Sequence, residues 1–319
     1  MELTSEQIDE ISDAVQRVVV GWEISSPPQP FTWAPDRHLR ACLVKNGRTR
    51  NVILRRSWAP KNFEIETFLY RSVLPNFSVR TPVLWGTFVA DDGQSLWIIL
   101  EDVDGRTVRS DDPEDRKKFM AALGQLHGQG IRWLEGQKDS IDFLPRFDDA
   151  SLPYAGKFLP IRLWVERLAR GIEIPSLEIK PCLLSFPQWL LAQLVRQPMT
   201  LLHGDTDVSN GIIVDNEVFL IDFERACIGP PSLDLGKAVE WAESLDELEP
   251  YHSCFREVSG KDIPVSVLRE WIDLGQGYNS LYWVSYYVER ILEGNPLDLE
   301  WRERYYEPAI KTMCRLCNP

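Results

Sequence analysis

Four polar side chains, His203, Asp205, Asn210 and Asp222, stand in the stretch LLHGDTDVSNGIIVDNEVFLIDFE, residues 201–224. Asp205 and Asn210 have the spacing D-x-x-x-x-N. The apolar runs Gly211-Ile212-Ile213-Val214 and Val218-Phe219-Leu220-Ile221 flank Asp215-Asn216. Asp and Asn tolerate the backbone of a tight turn, so the stretch predicts a hairpin that folds Asp222 back beside Asn210. Two carboxylates and one amide are then expected to converge on one centre. Phosphoryl transfer suits such a set, because its loose transition state asks the protein mainly to position groups and neutralise charge. Mg2+ needs hard oxygen donors and keeps waters and phosphate oxygens of its own, so few protein ligands suffice. Asn210 and Asp222 are the candidate metal ligands. Asp205 is the candidate base for the attacking hydroxyl, a role that contributes about 10^2–10^4-fold in rate. Each of these residues alone is also an ordinary turn former; the four together at this spacing favour a site.

The segment resembles the catalytic loop and metal-binding strand of the aminoglycoside phosphotransferase and choline kinase family, a small-molecule branch of the protein-kinase-like fold. The resemblance is carried by His203-Gly204-Asp205, Asn210, Ile221-Asp222-Phe223-Glu224, and the run Gly229-Pro230-Pro231-Ser232-Leu233-Asp234-Leu235-Gly236. It implies an α+β, two-lobed fold with a small antiparallel-sheet lobe and a larger, mainly helical lobe. It implies ATP and Mg2+ as cofactors and transfer of the γ-phosphoryl group to a hydroxyl of an amino sugar, amino alcohol or related metabolite. It makes His203 a brace for the catalytic loop, and Glu101-Asp102-Val103-Asp104-Gly105 a hinge between lobes whose backbone groups, with Glu101 and Val103 as the candidates, hold the adenine. Arg55 becomes the residue that holds phosphates, paired with Glu66 or, as the alternative, Glu64. Asp207, Glu224 and Asp234 are candidates near the acceptor, with Asp234 alternatively bracing the catalytic loop.

Three departures from the family pattern stand out. Arg55 occupies a position where many kinases have Lys, although its fork can hold phosphate oxygens in a bidentate way. Asp207 stands where relatives often carry His. The stretch Phe31 to Leu39, expected to cover the phosphates, contains no glycine. That last feature supports the alternative reading, a catalytically weak or inactive kinase-like nucleotide-binding protein. A third reading, a metallohydrolase built on His203, Asp205 and Asp207, lacks the further ligands in matching spacing that such sites need.

The elements that must position these residues are legible around them. Thr4 with Gln7 forms a capping-box pattern, and Ile8, Ile11, Val15, Val18 and Val19 follow helical spacing. Leu39 to Val44 and Asn51 to Arg55 read as strands joined at Lys45-Asn46-Gly47-Arg48. A helix is expected over about 62–73. Pro82 to Phe88 and Ser95 to Leu100 read as strands around Asp91-Asp92-Gly93. Asp112-Pro113-Glu114 opens a helix that carries Phe119, Leu123 and Leu126, with His127 as a structural residue. Residues 131–200 show no assignable motif. The division expected is 1–104 for nucleotide binding and 105–319 for catalysis and substrate binding. The C-terminal aromatics include Trp271, Tyr278, Tyr282 and Tyr286 at helical spacing, which favours core packing over a cage for a quaternary ammonium.

Composition sets the outer bounds. The chain has 319 residues, 44% hydrophobic and 26% charged, which is ordinary for a folded globular protein. Its net charge of −13 makes nucleic acid a poor partner and favours a cationic acceptor, although acidity for solubility alone is the commoner cause. No apolar run approaches the ~18 residues of a membrane span, and the acidic N-terminal residues lack an apolar targeting segment. The expectation is a cytoplasmic protein with no membrane partner. Six cysteines do not form a disulfide framework in a chain this long, and Cys314-x-x-Cys317 lacks a second pair to complete a zinc site.

Overall fold

The computed structural model describes residues 4–32, 37–57, 59–137, 143–154, 157–238, 245–295 and 299–317. Residues 33–36, part of the glycine-free stretch, lie outside the described residues. The contacts divide the chain into two compact units, Met1–Val108 with Ser209–Arg225, and Arg109–Val208 with Ala226–Pro319. A single boundary near residue 104 would leave the hairpin in the second segment; the contacts group it with the first. The cause is a short strand, Arg106–Thr107, that pairs antiparallel with Gly211–Val214, while the Val108 N–H donates to the Gly211 carbonyl at 2.9 Å. Gly105 permits this approach, because a Cβ there would fall 2.4 Å from the Ile213 carbonyl oxygen.

The first unit is built on an antiparallel sheet in the order Glu23–Ile24, His38–Lys45, Arg48–Ser57, Leu96–Glu101, Leu84–Val89, with Gln29–Pro30 added on His38–Lys45. Alternation decides its faces. Leu39, Ala41, Leu43, Val52 and Leu54 point into a core closed by Ile11 and Val15 of the helix Ser5–Val18. Each fully buried Leu or Val of this kind contributes about 1.5–3 kcal/mol. The expected capping box starts that helix: the Gln7 N–H donates to the Thr4 hydroxyl and the Gln7 side chain accepts from the Thr4 N–H. The expected turn between the two long strands is present, with Asn46 and Gly47 both at positive φ. A helix follows at Pro60–Phe68 and widens into a π-turn over Leu69–Val73. Its inner face buries Ile65 and Glu66.

The second unit is mainly helical. Pro113–Gly136 begins as expected, with Asp112 accepting from the Glu114 N–H at 3.0 Å and Pro in the first turn. Val265–Leu292, Ile161–Ile172, Phe186–Leu194 and Glu307–Cys317 surround a core that includes Trp164, Phe186, Leu190, Leu281 and Val284. Arg116 and Glu247, both buried, form a two-point ion pair at 2.7 and 2.9 Å. The C-terminal aromatics pack on one another: Trp283 meets Tyr286, Trp301 and Tyr305, and Tyr287 meets Tyr306 at 4.7 Å between ring centres. A hairpin at Ser151–Tyr154 and Lys157–Pro160 lies in the region where no motif was assigned. Among the described residues, no helix is long and apolar enough to cross a membrane.

Candidate active site

In the first unit the predicted hairpin forms from Gly211–Val214 and Glu217–Leu220, registered Gly211 to Leu220 and Val214 to Glu217. Asp215 and Asn216 both adopt positive φ, 48° and 73°, the conformation of the mirror-image turn that matches strand twist. One further backbone bond, from the Ile221 N–H to the Asn210 carbonyl at 3.0 Å, extends the pairing past the strand ends. It brings Asn210 next to the residue preceding Asp222. Asp222 itself leaves the extended conformation, with φ 67°, and a short 3-10 turn follows at Phe223–Arg225. A non-glycine residue in this region costs about 1–2 kcal/mol, so the surroundings must hold it.

A buried guanidinium does so. Arg55, on the strand Arg48–Ser57, donates from Nη1 to Asp222 Oδ1 at 2.6 Å and to Glu224 Oε2 at 3.1 Å. Its Nη2 forms an ion pair with Glu66, which is completely buried. Arg37 also donates to Glu224, at 2.9 Å. Three carboxylates and two guanidiniums thus form one network with an excess of one negative charge. Glu64, the alternative partner, is exposed. Tyr70 packs edge-on against Phe223 with ring centres 5.8 Å apart. Burial pushes its phenol well above the ordinary value, with the Arg55 charge opposing and the Asp222 charge adding to the shift.

The donor set fits Mg2+. Asn210 and Asp222 offer an amide and a carboxylate oxygen, both hard, and the network's surplus negative charge includes Asp222. The expected hinge residues lie at the end of the sheet. The Glu101 N–H donates to the Val83 carbonyl and the Asp102 N–H to the Asn51 carbonyl, at 2.9 and 3.0 Å. A cavity of about 340 Å³ opens beside them, bordered by Asn51, Glu101, Val103, Asp104, Val214 and Phe219.

In the second unit, the loop at residues 203–205 follows the strand Thr200–Leu202, which pairs with Cys227–Gly229. Asp234, on the helix Ser232–Ala238, is buried and accepts from the His203 N–H at 2.7 Å and the Gly204 N–H at 3.0 Å. Gly204, with φ 80°, supplies the left-handed turn that presents both donors to one carboxylate. His127 Nε2 lies 3.0 Å from Asp234 Oδ2, and its Nδ1 lies 3.0 Å from the Tyr251 hydroxyl. A carboxylate only accepts, so Nε2 donates; a neutral imidazole then accepts at Nδ1 from Tyr251. His127 is therefore a buried structural residue. His203 is fully buried as well, and its Nδ1 accepts from the Asp205 N–H at 3.3 Å. The His203 ring thus contacts the backbone of its own loop.

Asp205 is partly exposed and forms an ion pair with Lys237 at 2.5 Å. Lys237 also lies 3.7 Å from Asp207. The sequence reading did not single out Lys237. The available signal was its spacing three residues after Asp234, which puts both on one face of the same helix. Of the two residues expected near the acceptor, Glu224 accepts from Arg37 and Arg55, and Asp234 accepts from the His203 and Gly204 N–H groups.

The chain matches the phosphotransferase enzyme family over residues 40–252. No curated protein matches it. Among solved structures, it is similar to a macrolide 2'-phosphotransferase from Brachybacterium faecium, with 16% identity, 98% of each chain covered and a TM-score of 0.60. It is similar to a choline kinase from Streptococcus pneumoniae, with 13% identity, 98% of this chain and 100% of that one covered, and a TM-score of 0.59. A spectinomycin phosphotransferase in complex with ADP and spectinomycin shows 12% identity, 99% and 96% coverage, and a TM-score of 0.52. These likenesses show the α+β, protein-kinase-like fold expected from the sequence. The family match spans two-thirds of the chain and includes Arg55 with its partners Glu66, Asp222 and Glu224 as well as the Asp205 loop: the chain belongs to the phosphotransferase enzyme family.

Proposed function

We propose that the chain is an ATP-dependent small-molecule kinase that uses Mg2+ and transfers the γ-phosphoryl group to a substrate hydroxyl. The observation that carries this reading is the buried Arg55–Glu66 pair with Asp222 attached to it. A guanidinium shared by three carboxylates anchors Asp222 in its left-handed conformation, and the network keeps surplus negative charge for a cation. Asn210 and Asp222 would hold the Mg2+, which supplies charge neutralisation at the phosphate oxygens when bound. Arg55, oriented by Glu66, would face the phosphates, and the backbone at Glu101 and Val103 would hold the base. Asp205 would accept the hydroxyl proton, its loop braced by His203 and Asp234. Nucleotides are found with related folds, as AMP in a choline kinase, ADP in a spectinomycin phosphotransferase and GDP in an aminoglycoside 2'-phosphotransferase.

The acceptor would bind to the second unit near Asp205. A cavity of about 180 Å³ in the same unit is bordered by Gly236, Gln276, Asn279, Trp283, Arg304 and Tyr305. Asp205 and Asp207, with the chain's net charge of −13, favour a cationic acceptor such as an amino sugar or amino alcohol. A screen of such compounds for ADP release tests the reading, followed by Asp205→Asn on the best acceptor. ATP affinity should survive while turnover falls at least about a hundredfold. Near-normal turnover in the variant would remove Asp205 as the base.

A further inference from the structure

We propose that Lys237 is a positioning residue for phosphoryl transfer, holding the carboxylate of Asp205 from the same helix that braces the catalytic loop. The inference rests on the assignment of Asp205 as base. The helix Ser232–Ala238 holds this loop at two levels. Its Asp234 takes the backbone N–H groups of His203 and Gly204. One turn later, Lys237 takes Asp205 Oδ1 at 2.5 Å. Asp234 is buried, whereas Lys237 and Asp205 are partly exposed, so the second level lies where a substrate can reach.

The helix has little freedom to move. Gly236 packs against Gly275 so closely that a Cβ on it would fall 2.1 Å from the Gly275 backbone. The Thr206 hydroxyl donates to the Asp234 carbonyl at 2.6 Å, joining the loop to the helix a third time. The Lys237 ammonium is therefore delivered from a fixed base. It engages one oxygen of Asp205, which limits the rotation of the carboxylate. It also lies within ion-pair distance of Asp207, so it separates two carboxylates that stand two residues apart on one loop.

The geometry has a chemical consequence. In the transfer, the acceptor oxygen bonds to the γ-phosphorus, the bond from that phosphorus to the ADP oxygen breaks, and the hydroxyl proton passes to Asp205. A carboxylate free to rotate reaches the proton in only part of its conformations; one held at Oδ1 samples fewer of the others. Lys237 then contributes to turnover without contributing to nucleotide affinity. Asp207 keeps a counter-charge beside the ammonium when the acceptor engages Asp205.

The test compares Lys237→Met, Lys237→Arg and Asp205→Asn in one assay, with the best acceptor of the screen and with water as acceptor in slow ATP hydrolysis. Lys237→Met should lower kcat by about tenfold to a hundredfold, the scale expected for a misoriented reacting group, with Mg-ATP affinity and thermal melting unchanged. Lys237→Arg should restore most of that kcat, because it returns the cation to the same carboxylate. Turnover near wild type in Lys237→Met, alongside a deficient Asp205→Asn, would overturn the role of Lys237 and leave the base assignment standing. Retained turnover in Asp205→Asn would overturn the base assignment itself. A loss in Lys237→Met that Arg does not relieve, or that comes with a lowered melting temperature, would make Lys237 merely structural.

Discussion

At the scale of single residues, the first unit concentrates charge where little water can screen it. Arg55 and Glu66 are both buried, and Asp222 and Glu224 share the same guanidinium. Breaking a buried pair by removing one partner leaves an uncompensated charge and typically costs 3–5 kcal/mol. Glu66→Ala leaves Arg55 with its two remaining carboxylates, so the expected loss is about 3 kcal/mol, at the lower end of that range. Denaturant unfolding measures it, and a loss within error of zero would show that the pair does not hold the network together. The identity of these partners was only partly legible. Arg55 could be read from its place on a strand. Glu66 could be preferred to Glu64 only through the resemblance and its spacing to Tyr70, because the helix itself is weakly amphipathic. Lys237 was missed for a similar reason: its partner, Asp205, lies 32 positions away.

At the scale of elements, local chemistry was the legible part. The capping box at Thr4, the turns at Asn46-Gly47 and Asp215-Asn216, and the Asp112-Pro113 start of a helix are all set by neighbours in sequence. The pairing of Ser151–Tyr154 with Lys157–Pro160 was not legible, because strands of four residues give too little alternation to separate them from loop. The helix Ser232–Ala238 shows what packing adds to propensity. A glycine weakens a helix on its own, yet this one holds the loop at residues 203–206 because Gly236 lets it lie against Gly275. Gly236→Ala should therefore destabilise by about 1–3 kcal/mol, the usual cost of overpacking. It should also lower turnover, since Asp234 and Lys237 ride on the displaced helix. A shift in melting temperature together with kcat checks both effects. An unchanged kcat would separate the position of the helix from catalysis.

At the scale of the whole molecule, sequence motifs gave the fold class and family more readily than the grouping of segments. The motif residues from His203 to Gly236 run continuously along the chain, but residues 209–225 pack with the first unit and those on either side with the second. That interleaving comes from the pairing of Gly211–Val214 with Arg106–Thr107, a contact between segments more than a hundred residues apart. The hairpin and Arg55 consequently belong to one compact unit, and the proposed metal ligands Asn210 and Asp222 are carried with them. The most direct measurement is isothermal titration of ATP with and without Mg2+, for the unaltered chain and for Asp222→Asn. The account predicts that Mg2+ tightens ATP binding by about tenfold or more in the unaltered chain and that most of this gain disappears in Asp222→Asn, with the fold retained. An equal Mg2+ gain in both proteins, or none in either, would contradict it.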